Sequence, residues 1–120
     1  MNNWRTGNGM VGKIWEINNS KLNTNHNIEL TRNGLNEFIK YLYQMPDRKI
    51  HLSCSVFKNT PKSITIGIRY RNGDNITINA DKKPRVNSWI YLVNNQLEFN
   101  YQKDMINWLK QYNEKQLIGG

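Results

Sequence analysis

Sulfur chemistry is almost absent from this sequence. Cys54 is the one cysteine in 120 residues, so an internal disulfide is excluded and a reducing compartment suits the chain. It alternates with Leu52 and Val56, the pattern of a buried structural thiol and not of a nucleophile. No apolar run approaches the roughly 20 residues that a membrane-spanning helix needs. The first thirteen residues, MNNWRTGNGMVGK, hold no apolar core of a secretory signal. Metal-binding spacings are missing too: the two histidines, His26 and His51, stand far apart, and neither His-x-x-His nor Cys-x-x-Cys occurs. There is no phosphate-binding G-x-x-x-x-G-K-[ST] loop. Gly7-x-Gly9-x-x-Gly12 matches the dinucleotide fingerprint in letters only, since it follows no strand and opens no helix. No cofactor is expected, and the chain does not read as an enzyme. Its enzymatic alternative is a metal-independent nuclease pairing His51 with Arg69 or Lys58.

Acidic residues are also scarce. Asp and Glu number 9 against 17 Lys and Arg, for a formal net charge of +8 and a pI near 9.8. A partner of negative charge follows: nucleic acid, an anionic membrane or an acidic protein. Hydrophobic residues at 38% and charged residues at 22% are those of a folded domain. About one residue in six is asparagine while alanine is rare, a bias of AT-rich coding DNA that points to a low-GC bacterium, its phage or its plasmids.

The patterning predicts one α+β domain over residues 12–116, behind a mobile arm at 1–11 and before a frayed tail at 117–120. Residues 12–18 alternate, with Ile14 and Glu16 on one side and Lys13, Trp15 and Ile17 on the other. Residues 18–27 read as a loop. A short strand over 27–30 runs into a helix with Thr31 as N-cap. Leu35, Phe38, Ile39 and Leu42 form its apolar stripe, and Pro46 ends it. A β-meander follows. Residues 49–57 turn Ile50, Leu52, Cys54 and Val56 inward and leave His51 opposite. Residues 63–71 place Ile64, Ile66, Ile68 and Tyr70 on one face and Arg69 and Arg71 on the other. Asn72-Gly73 reads as a two-residue hairpin turn. Strands over 75–79, 89–93 and 96–101 complete the sheet, separated by a charged loop at 81–87 and an Asn94-Asn95 turn. Met105, Trp108, Leu109 and Tyr112 then mark a second amphipathic helix.

The charge is concentrated. Between Lys58 and Arg85 lie Lys58, Lys62, Arg69, Arg71, Lys82, Lys83 and Arg85 against Asp74 and Asp81, a net +5 of the chain's +8. These cations can pair with phosphates. Rings interleave with them: Tyr70 between two arginines, Trp89 and Tyr91 just beyond, and Trp15 beside Lys13. Whichever of these rings face solvent can stack on bases.

The run Asn27-Ile28-Glu29-Leu30-Thr31-Arg32-Asn33-Gly34-Leu35 with the helix through Leu42 resembles the strand–turn–helix end of a PC4-like module. Leu97-Glu98-Phe99 with the helix through Lys110 looks like a second, looser copy, as in Whirly-type tandem proteins. The resemblance implies a PC4/Whirly-like, mainly antiparallel curved sheet with two helices packed on one face. It implies binding of single-stranded DNA, or RNA, without sequence preference, by a dimer or higher homo-oligomer in the cytoplasm of a bacterial host. The role would lie in phage or plasmid DNA replication or recombination. The sequence departs from the family in length and in the two strands, not four, that precede its first helix. The alternative is a phage-encoded inhibitor, an anti-CRISPR or host-takeover protein, whose basic face binds an acidic protein surface.

Overall fold

The computed structural model of the protein describes residues 12–18, 21–24, 35–86 and 88–119, with backbone alone for Asn18 and residues 21–24. The arm at 1–11, the strand at 27–30 and the Thr31 cap lie outside the described residues. Among those described, seven antiparallel strands form one sheet: β1 (Gly12–Asn18), β2 (Lys21–Thr24), β3 (His51–Thr60), β4 (Ser63–Tyr70), β5 (Asn75–Lys82), β6 (Trp89–Val93) and β7 (Leu97–Phe99). The spatial order is β2-β1-β3-β4-β5-β6-β7. Helices α1 (Asn36–Gln44) and α2 (Gln102–Gly119) pack on one face of it and on each other. The α+β architecture is thus the expected one.

The core lies between the sheet and the helices. From β4 it takes Ile64, Ile66, Ile68 and Tyr70, and from β5 Ile76, Ile78 and Ala80. β6 adds Trp89, Tyr91 and Val93. Leu35 just before α1, and Phe38, Ile39 and Leu42 within it, are fully buried, as are Met105 and Leu109 of α2. Period-2 and period-3.6 stripes meet here because each hides one apolar surface. α2 continues through Leu117 and Ile118 to Gly119, although both side chains stay exposed.

Several elements depart from the sequence reading. Residues 21–24 form β2 and pair with β1 from Asn18↔Lys21 to Trp15↔Thr24. Lys-Leu-Asn-Thr has no apolar alternation to reveal it; its backbone pairs with β1. β5 runs to Lys82, shortening the charged loop, and β7 spans only three residues. The β4–β5 turn is not a two-residue hairpin. Gly73 N–H donates to Tyr70 O at 3.1 Å, and Gly73 (φ 100°) takes the left-handed position. This is a three-residue loop in which glycine sits one place later than in a type I′ turn. At the next hairpin Asn94 and Asn95 do hold the two left-handed positions, with φ 53° and 57°.

Bulges decide which side chains face the helices. The β1–β3 register shifts between Lys13 and Trp15, so Ile14 and Trp15 are both fully buried. Lys13 and Glu16 then share the opposite face and form an ion pair. The β3–β4 register shifts between His51 and Ser53, and again between Val56 and Lys58. The first shift turns His51 into the core, where it is 1% exposed, and leaves Leu52 half-buried. One extra residue exchanges the faces of a strand.

Candidate nucleic-acid interface

Pairing across the sheet fixes the face that the helices leave uncovered. Its rows include Lys58–Thr65–Asn79–Leu92–Glu98 and Ser53–Arg69–Asn75. Hydroxyls and amides dominate it, and neighbours satisfy them: Thr65 Oγ1 donates to Asn79 Oδ1 at 2.7 Å, and Ser63 Oγ to Asp81 Oδ1 at 2.7 Å. Lys13 and Arg69 on this face are matched by Glu16 and Glu98. The sheet face as a whole is therefore not the basic surface.

The larger group of the sequence-predicted cations gathers instead at one end of the sheet. The β3–β4 turn carries Lys62, and the backbone N–H of Lys82 donates to Lys62 O at 2.8 Å, tying that turn to the end of β5. Lys83 N–H donates to Ser88 O at 2.9 Å and closes the base of the β5–β6 loop. Inside the loop Lys82 Nζ donates to Val86 O at 2.8 Å. Lys82 is thus a brace rather than a free cation. Pro84 is followed by Arg85 at φ 69°, the φ pattern of a type II turn, whose third position favours glycine. An arginine held left-handed costs on the order of 1–2 kcal/mol in backbone strain. Lys58, Lys62 and Arg85 are exposed and Lys83 is partly so. The one carboxylate in these segments is Asp81, already taken by Ser63.

Arg69 and Arg71 lie at the other end of β4, about 20 Å away at the usual rise per strand residue. Arg71 is anchored there: its N–H donates to Ile50 O and its Nε to Arg48 O. The seven cations concentrated between Lys58 and Arg85 in the sequence are therefore two groups in space. Five belong to the β3–β4 and β5–β6 end, and two stand with Arg48 and Lys49 at the opposite end.

The stacking rings named from the sequence are all in the core. Trp15 is 0% exposed, Tyr70 1%, Tyr91 2% and Trp89 4%. Trp15 donates its indole N–H to Leu42 O at 2.7 Å. The Trp89 indole N–H has no acceptor among the described residues. Trp89 and Tyr91 do share a face, as alternation requires, and that face is the one under the helices; Ile90 and Leu92 turn outward. Lys13, tied to Glu16, has lost the ring beside it.

The structure does not bring His51 together with Lys58 or Arg69. His51 sits on the opposite side of the sheet from them, within a buried polar network. Its Nδ1 accepts from Asp47 N–H at 2.9 Å, and its Nε2 lies 3.4 Å from Asn113 Oδ1. Tyr70 Oη donates to the same Asn113 oxygen at 2.7 Å, and Asn113 Nδ2 to Tyr41 Oη at 3.3 Å. Burial, partly offset by the Asn113 contact and by Asp47, lowers the His51 pKa to about 4. Cys54 is fully buried, and burial pushes its thiol well above the usual range. Among the described residues no group of three His, Cys, Asp or Glu side chains could hold a metal ion. No described helix is long and apolar enough to cross a membrane.

Two residues differ from what the sequence suggested. Asn113 joins both helices to β3 and β4, and an asparagine within an amphipathic helix gives no local sign of burial. Tyr101, which the sequence reading includes in the strand over 96–101, is 67% exposed, and β7 ends before reaching it.

Fold and charge together define an antiparallel α+β sheet protein with cations at both ends of the sheet, the larger group of the sequence-predicted seven at the β3–β4 and β5–β6 connections. No family model, no curated protein and no solved structure matches the chain.

Proposed function

We propose that the protein binds single-stranded nucleic acid without sequence preference, through its basic end and by contacts to the phosphate backbone. The observation that carries this reading is the gathering of Lys58, Lys62, Lys82, Lys83 and Arg85 around two linked connections with Asp81 as the only acid. A backbone-directed mode supports indifference to sequence, since phosphates are the same at every step. A role in phage or plasmid replication or recombination fits such binding, and a second copy of the chain would lengthen the contact.

Anisotropy of fluorescein-labelled oligo(dT), measured between about 50 and 200 mM salt, tests the proposal. Four phosphate contacts predict a log–log slope of about −3, at roughly −0.7 per contact on a single strand. Absence of binding at the lowest salt would overturn the reading. The basic end would then be assigned to an acidic protein surface, as for a phage-encoded inhibitor.

A further inference from the structure

A cavity of about 290 Å³ opens where the end of α1, the connection to β3 and the second half of α2 meet. We propose that it binds a small, neutral, planar ring amide, whose carbonyl accepts hydrogen bonds from His51 and Asn113. Its walls mix apolar side chains, Met45, Ile50 and Leu117, with the polar groups of Tyr41, His51 and Asn113, the make-up of small-molecule sites. Those sites start at roughly 300 Å³, so this one has room for a single ring. His51 and Asn113 are buried, at 1% and 8% exposure, yet both line the cavity. Burial keeps His51 neutral, and its Nδ1 accepts the Asp47 N–H, so Nε2 carries the hydrogen. That N–H reaches Asn113 Oδ1 only at 3.4 Å, and the oxygen is already held by Tyr70 Oη at 2.7 Å. Asn113 Nδ2 in turn donates to Tyr41 Oη at 3.3 Å. Both bonds exceed the usual 2.7–3.2 Å, and the residues they join, His51, Asn113 and Tyr41, all line the cavity. A carbonyl oxygen beside them would give two under-used buried donors a better acceptor. The charges on the lining are mixed, Lys110 against Asp47 and Glu114, which favours a ligand without net charge. The site stands at the His51 end of β3, and the Lys62 turn follows the other end, so it is separate from the basic connections.

The test titrates the intact protein with 2-pyridone, a neutral ring amide, and with pyrrole, a ring N–H that has no carbonyl. Two-dimensional NMR follows the His51 imidazole and the Asn113 side-chain amide. The chain has two histidines, so loss of one imidazole signal in His51→Gln assigns the other. For 2-pyridone a saturable shift of both groups is expected, with a Kd on the order of 1 mM for so small a ligand; pyrrole should bind at least about tenfold more weakly. Tyr41→Phe keeps the ring and removes the acceptor that competes for the Asn113 amide, so 2-pyridone should bind about threefold more tightly. Leu117→Ala, at an exposed wall position, should weaken it about threefold. Absence of a saturable shift at His51 and Asn113 would overturn the site. Equal affinity for pyrrole would overturn the carbonyl contact, and unchanged affinity in both variants would place the probe elsewhere and overturn the proposal.

Discussion

An Asn113→Ala variant is expected to lose about 3 kcal/mol of unfolding free energy, because two buried donors lose their acceptor at once. Tyr70 Oη and His51 Nε2 both converge on Asn113 Oδ1, and each belongs to a side chain 1% exposed. An unsatisfied buried donor costs about 1–3 kcal/mol, a large share of the 5–15 kcal/mol that keeps a typical domain folded. Urea unfolding measures the loss. Coupling separates this account from simple loss of packing. Tyr70→Phe should destabilise the wild type by about 1 kcal/mol and cost nothing in the Asn113→Ala background, where its hydroxyl is already stranded. Additive effects would show that the network does not work as a unit.

Stability is also expected to fall as pH is lowered from about 6.5 to about 4. The folded His51 titrates near 4 because burial disfavours its charged form, whereas an unfolded histidine titrates near 6.5. Between those values the unfolded chain binds the extra proton, so acid favours unfolding. The contribution is complete above the unfolded pKa and gone below the folded one, and it amounts to about 3 kcal/mol. Geometry gives the same sign. Nδ1 already accepts the Asp47 N–H, so a second proton there would face a donor. Urea midpoints of wild type and His51→Gln across this range provide the check. The wild type should show the slope and the variant should lack it. Asp74 acts at lower pH. Hydrogen bonds from Tyr112, Asn72 and Gln116 hold its carboxyl below the usual value, so its contribution is lost in more acid conditions.

Much of the fold was legible because it follows uninterrupted periods. Ile64, Ile66, Ile68 and Tyr70 alternate without a break and are buried together; Leu35, Phe38, Ile39 and Leu42 do the same on a helix. The site was less legible, for three physical reasons. Alternation shows which residues share a face but not which face is covered, so Trp89 and Tyr91 could not be assigned to core or solvent. Bulges leave no local mark, yet one residue at Ile14 was enough to bury Trp15, and the shift after His51 brought that ring into the core. Closeness in sequence is not closeness in space. Lys62, just before β4, and Arg69, near its end, have about 20 Å between them, while Lys62 and Lys82 touch through their backbones. Charge clustered along the chain thus became a clustered end only where turns bring distant residues together.

The most direct test of the central claim compares two variants of equal net charge. One replaces Lys62, Lys83 and Arg85 by Ala at the basic end; the other replaces exposed Lys40, Arg48 and Lys49 elsewhere on the molecule. Oligo(dT) affinity across a salt series is the readout. The account predicts that the first variant binds far more weakly, with a salt slope shallower by about 2, and that the second keeps the wild-type slope. Equal losses in both variants would mean that net charge alone draws the strand, and would contradict a defined basic end.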